Sequence, residues 1–132
     1  MAALHFEFVS PETVLFSGEV DQVDLPGVEG DLGILPGHAP IVTLLRPGIV
    51  TIMREGQREP VVVVGGFAEM GPGGLTVLAD RAGSREDFDL QVLADDIKDA
   101  EEDVADCTDD AERDRLTRRL DQLRTLQAAL AS

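Results

Sequence analysis

The chain has no tryptophan, no tyrosine, one cysteine, two histidines, and neither glycine nor proline after residue 83. Each shortage excludes something. Cys107 alone cannot close an internal disulfide, so no oxidising compartment is demanded, and without an activating partner it reads as an incidental thiol. His5 and His38 stand far apart, with no cysteine or second histidine beside either. A metal site needs three or four convergent ligands, commonly in closely spaced pairs, so no metal is expected. There is no G-x-S-x-G elbow, no phosphate-cradling G-x-x-x-x-G-K-[ST] loop and no G-x-G-x-x-G. No catalytic residue, nucleotide site or cofactor is therefore assigned. Basic charge is also short. Lys and Arg number 11 against 26 Asp and Glu, a formal net charge of −15. That balance argues against nucleic acid as a partner and against unassisted binding to an anionic membrane. No stretch approaches ~18 uninterrupted apolar residues, so direct insertion into a bilayer is not expected. The first ten residues show no secretory or transit signal, which makes the bacterial cytosol the expected compartment.

What is present falls into two halves. All thirteen glycines lie at or before Gly83, and all seven prolines precede it. The expected organisation is a β-sandwich over residues 1–84 and an αα-hairpin over 85–132. In the first half Leu4, Phe6 and Phe8 alternate with His5, Glu7 and Val9, the period of a strand. Further short runs follow at Val14 to Leu25, Ile41 to Leu45, Ile49 to Met53, Val61 to Val64 and Leu75 to Leu78. Turn signals separate them, among them Glu55-Gly56 and Gly71-Pro72-Gly73-Gly74. That spacing predicts an antiparallel sandwich with an aliphatic core.

The second half is helical. Leu90, Leu93, Ile97, Ala100 and Val104 make one apolar stripe at spacings of three and four, and Leu116, Leu120, Leu123, Leu126 and Leu130 make another. Between them Asp109 and Glu112 have the spacing of a capping box. Two such helices with a short link predict an antiparallel hairpin. Residues 85–107 carry ten acids against Arg85 and Lys98, a net of −8, whereas 108–132 balance five acids with Arg113, Arg115, Arg118, Arg119 and Arg124. Those arginines are either a solvated, ion-paired face or a patch that docks an acidic partner.

The stretch Gly30-Asp31-Leu32-Gly33-Ile34-Leu35-Pro36-Gly37-His38-Ala39-Pro40 is the densest signal in the chain. It reads as a shaped turn between strands, anchored by Leu32, Ile34 and Leu35. Together with Gly27 and the two residues after it, this run resembles the signature of the epsilon subunits of F-type ATP synthases. Pro47-Gly48, Gly65-Gly66-Phe67-Ala68-Glu69 and Thr76-Val77-Leu78-Ala79-Asp80 resemble further elements of that family, in order. The resemblance covers residues 4 to 90 closely and the helices in architecture only.

It implies a non-catalytic rotor subunit, one copy per complex, on the cytoplasmic face of the bacterial inner membrane. The subunit would join gamma to the c ring and couple proton-driven rotation to ATP synthesis. An alternative role is regulatory inhibition of ATP hydrolysis through the hairpin. By position, the resemblance assigns Asp31 to the c-ring contact and Ser10, His38 and Thr43 to the gamma contact. It leaves the five arginines as candidate contacts to the beta subunit. Relatives often carry an arginine that helps bind ATP at the start of the first helix; Val92 stands there instead, so no nucleotide site is expected.

Overall fold

The computed structural model describes residues 3–131. The chain separates into two compact units, Met1–Ser84 and Arg85–Ser132. The first holds ten strands: β1 (Leu4–Ser10), β2 (Thr13–Val20), β3 (Gln22–Gly27), β4 (Gly30–Ile34), β5 (Ile41–Leu44), β6 (Gly48–Arg54), β7 (Gln57–Val63), β8 (Gly66–Gly71), β9 (Gly74–Ala79) and β10 (Ala82–Gly83). They form two five-stranded sheets, ordered β2-β1-β9-β8-β5 and β10-β7-β6-β3-β4. Every pairing is antiparallel except β1 with β9, which run parallel with Phe6 opposite Leu75 and Val9 opposite Leu78.

Period-two alternation decides which side chains fill the space between the sheets. Leu4, Phe6 and Phe8 point inward from β1, Leu75 and Val77 from β9, Val23 and Leu25 from β3, and Val50 and Ile52 from β6, all buried. The core is mostly aliphatic, as expected. Its two largest fully buried residues are nevertheless Phe6 and Phe8, whose ring centroids lie 5.7 Å apart. Between β1 and β2 the register shifts beside Phe8 and Val9, so that Leu15 and Phe16 both pack against the core. Such a bulge turns the residue beyond it to the opposite face.

The glycine-rich signature divides differently from its sequence reading. Gly30–Ile34 is not turn but strand, the edge of the second sheet, paired with β3. An edge strand has one unpaired side and tolerates glycine there. Ile34 is fully buried and Leu32 packs against the core, but Leu35 is 53% exposed and anchors nothing. The turn proper comes next. His38 N–H donates to Leu35 O at 3.1 Å, with Pro36 and Gly37 (φ 79°) between them. This is a type II turn, with proline and glycine each at the position that favours it.

The second unit starts with a short 3₁₀ turn, Arg85–Asp87, followed by helices α1 (Leu90–Asp106) and α2 (Asp110–Ala131). Asp89 caps α1 by accepting from the N–H groups of Gln91 and Val92, at 2.8 and 3.3 Å. Asp109 caps α2 from Ala111 N–H at 3.2 Å, but Glu112 pairs forward with Arg115 at 3.0 Å rather than closing the box. The helices pack together and bury Leu93, Ile97 and Ala100 of α1 and Leu120, Leu123, Leu126 and Leu130 of α2. Leu90 drops out of its expected stripe: it lies in the first turn and is 55% exposed.

Candidate functional site

An alternating strand normally puts polar side chains on the solvent face. The outer face of the first sheet breaks that rule along one row. Val14 pairs with Val9, Val9 with Leu78, Leu78 with Phe67, and Phe67 with Leu44. Paired residues share a face, so this apolar row crosses all five strands, roughly 19 Å at the usual strand spacing. Val14 is 64% exposed and Leu44 62%, and Val42 beside Leu44 on β5 is 69% exposed. The adjoining row is polar: Ser17, Glu7, Thr76 and Glu69. An apolar stripe rimmed by polar groups is the pattern of a surface meant to be covered by another protein. Sequence reading passed over these residues because apolar alternation was credited wholly to the core. The available signal was that both phases of β1, β5 and β9 carry large apolar residues.

At one end of this face, His5 sits between two carboxylates. Its Nε2 lies 2.8 Å from Glu7 Oε1 and its Nδ1 lies 3.2 Å from Glu19 Oε1. Ser17 Oγ donates to the same Glu7 oxygen at 2.7 Å. The hydrogen bonds to Glu19 and then to Glu7 raise the His5 pKa above its ordinary 6.5. The Ser17 hydroxyl and then His5 lower that of Glu7. His5 also lines a cleft of about 360 Å³ together with His38, Pro36 and Met70.

A second feature is the β3–β4 tip. Val28 and Glu29 form its two-residue loop, both exposed, and Asp31 follows on β4. The Asp31 carboxylate, the expected c-ring contact, is ion-paired with Arg46, while remaining 80% exposed. Arg46 sits just after β5 and donates with its other Nη to Gly27 O.

The three expected gamma contacts do not cluster. Ser10 closes the turn after β1, its Oγ donating to Thr13 O at 3.4 Å. Thr43 lies on β5, separated from β1 by β9 and β8, about 14 Å across the sheet. Its side chain shares the inward row of Phe8, Val77 and Ala68, and its Oγ1 donates to Leu44 O at 3.2 Å. His38 follows the type II turn, with Nδ1 2.7 Å from Ala39 O.

Of the five arginines on α2, three are engaged within the hairpin. Arg113 pairs with Asp110, Arg115 with Glu112, and Arg124 with Glu101 of α1. Among the described residues, Arg118 and Arg119 have no ion pair. Val92 is 51% exposed in the first turn of α1. Among the described residues, no helix is long and apolar enough to cross a membrane.

A sandwich with an exposed apolar stripe, an ion-paired acidic tip and a helix pair has the build of a docking subunit, a part that sits in a larger assembly. Comparison with known proteins identifies the assembly. The family described as "ATP synthase, Delta/Epsilon chain, beta-sandwich domain" matches residues 3–85, well over half the chain. An ATP synthase epsilon chain of Rhodopseudomonas palustris strain HaA2 is 49% identical over 132 residues, covering 100% of this chain and 97% of the relative. One from Nitrobacter winogradskyi is 48% identical over 130 residues, covering 98% and 96%. Among solved structures, a chain of the Euglena gracilis mitochondrial ATP synthase (OSCP/F1/c-ring, rotational state 1) superposes with a TM-score of 0.79. It is 26% identical, and the match covers 98% of this chain and 82% of that one. The chain belongs to the ATP synthase delta/epsilon family, among its epsilon chains, and is a subunit of that complex.

Proposed function

We propose that the chain is a non-catalytic rotor subunit. It joins the gamma subunit to the c ring and passes proton-driven rotation toward the catalytic head, one copy per complex, held peripherally at the cytoplasmic face of the inner membrane. The observation that carries this reading is the apolar row from Val14 to Leu44. Transmitting torque requires an attachment that does not slip, and burying a continuous apolar stripe gives such an attachment without any chemistry at the contact. We assign gamma to that stripe. Ser10, at the end of β1, extends the surface at one edge. His38 lies by the cleft at the opposite end, and the backbone of Thr43 lies on β5 between Val42 and Leu44.

The test is co-purification of gamma with the full chain carrying Leu44→Asp and Leu78→Asp. Both sites are at least one-third exposed, so the fold should survive. Gamma retention should fall ~10-fold or more, with an unchanged thermal melt. Undiminished retention would remove the stripe from the interface.

One observation favours regulation through the hairpin as a second role. Arg118 and Arg119 are the two arginines of α2 left for an acidic segment of the beta subunit, since Arg113, Arg115 and Arg124 already have partners. Two exposed cations make a weak clamp, each worth ~1 kcal/mol or less.

A further inference from the structure

His5, Glu7, Ser17 and Glu19 stand together on the outer face of the first sheet, and the rotor reading gives them no task. Register places them there. Glu7 pairs with Ser17, and His5 with Glu19, across β1 and β2. Glu7 is two residues from Val9 of the apolar row, about 7 Å along the strand, and His5 is about 7 Å beyond it. A partner seated on the stripe meets this group at its rim.

The bonds inside the group decide what covering it would cost. Glu7 Oε1 accepts from Ser17 Oγ at 2.7 Å and lies 2.8 Å from His5 Nε2, while Glu19 Oε1 lies 3.2 Å from His5 Nδ1. The ring serves both carboxylates only when both of its nitrogens carry hydrogen. A neutral imidazole has one N–H and one lone pair. In that form one ring nitrogen faces a carboxylate oxygen, acceptor to acceptor, and that oxygen turns to water for a donor. Removing the water then leaves a charged group poorly matched, which is costly.

The surroundings supply no substitute. Among the described residues, no Lys or Arg pairs with Glu7 or Glu19. β2 is an edge strand, and on the other side of β1 the chain passes as Gly74, where a Cβ would come within 2.4 Å of His5 O. β9 then sets uncharged Thr76 opposite Glu7. The cleft beside His5 is walled by the β8–β9 turn, Pro72 and Gly73, and by the β4–β5 turn. The one titratable group of the latter is His38, whose Nδ1 is held at Ala39 O.

We propose that this cluster makes docking on the stripe pH-sensitive: the partner binds more tightly when the His5 ring carries both donors, and covering the stripe takes up a proton wherever the free ring is neutral. On the function proposed above, which this inference rests on, the partner is gamma. The two carboxylates hold the ring charged more firmly once water is displaced, because ion pairs strengthen in less polar surroundings. By reciprocity, gamma raises the midpoint of the ring by the same factor by which the proton tightens gamma.

The experiment measures the dissociation constant of the full chain with gamma by calorimetry, from about pH 6 to about pH 9, in buffers of different ionisation enthalpy. Binding should weaken about 5-fold across that range and take up a fraction of a proton near its middle. His5→Gln should flatten the dependence and abolish the uptake. Glu19→Gln leaves one carboxylate, which a single neutral N–H can serve, and should shrink the dependence by about half or more. NMR titration should place the His5 midpoint higher in the complex than in the free chain. Affinity that is flat or rising with pH, or a dependence that survives in His5→Gln, would overturn the proposal and leave gamma on the stripe. Gamma binding untouched by Leu44→Asp and Leu78→Asp would remove the stripe as the docking surface, and this inference with it.

Discussion

Single residues here do two kinds of work, electrical and steric, and both can be measured. His5 is the electrical case. With Glu19 on one ring nitrogen and Glu7 on the other, both nitrogens are best used as donors, which is the imidazolium form. Because the folded pKa lies above 6.5, the charged ring adds stability that is complete below that value and is lost as pH rises through the folded pKa. Glu7 has the opposite sign. Its folded pKa lies below 4.5, so its contribution is present above 4.5 and lost as pH falls through the lowered value. An NMR titration of His5 should therefore give a midpoint above 6.5. The melting temperature should decline mildly over the same range, and His5→Gln should remove that decline. An unshifted midpoint would refute the double clamp. Gly66 is the steric case. Its φ is 127°, and a Cβ there would sit 2.2 Å from Leu78 O on the neighbouring strand. Gly66→Ala should cost roughly 3 kcal/mol or more in urea unfolding, since the backbone itself would have to move. The second glycine of the pair that resembles a family motif is thus explained by strand packing.

At the level of elements, legibility followed how local the physics was. Most strands, both helices and the Asp109 cap could be read from period and composition, because those depend on neighbours a few residues away. β4 was hidden inside a run of glycine and proline, since an edge strand is defined by the partner it lacks, a fact about the sheet. The outer stripe was hidden because register alone sets Val14, Val9, Leu78, Phe67 and Leu44 in line. Likewise the Asp31–Arg46 pair joins residues fifteen apart, and nothing in either one's neighbourhood announces the other. Since the stripe and the tip both belong to the first unit, a fragment of residues 1–84 should fold and retain gamma as well as the full chain does. A pull-down in which that fragment shows cooperative melting but no gamma would contradict the assignment of the gamma surface to the sandwich.

For the molecule as a whole, the distribution of charge sets what it can hold. The donors at the start of α1 are already occupied by Asp89, Val92 offers phosphate nothing, and residues 85–107 carry net −8. Calorimetry on the isolated chain should show no micromolar ATP binding; a clear micromolar isotherm would show that a cationic site assembles in the second unit after all. The parallel pairing of β1 with β9 has a consequence of another kind. The first strand of its unit to leave the ribosome is flanked by a strand whose residues, 74–79, are among the last of that unit to be made. A β1–β2 hairpin formed before then would keep one flank of unpaired backbone N–H and C=O groups, which cannot close until β9 arrives. Translation speed through the intervening codons therefore decides how long that flank stays open. A pause placed just before β9 would endanger the yield of soluble subunit more than the same pause anywhere in the helices.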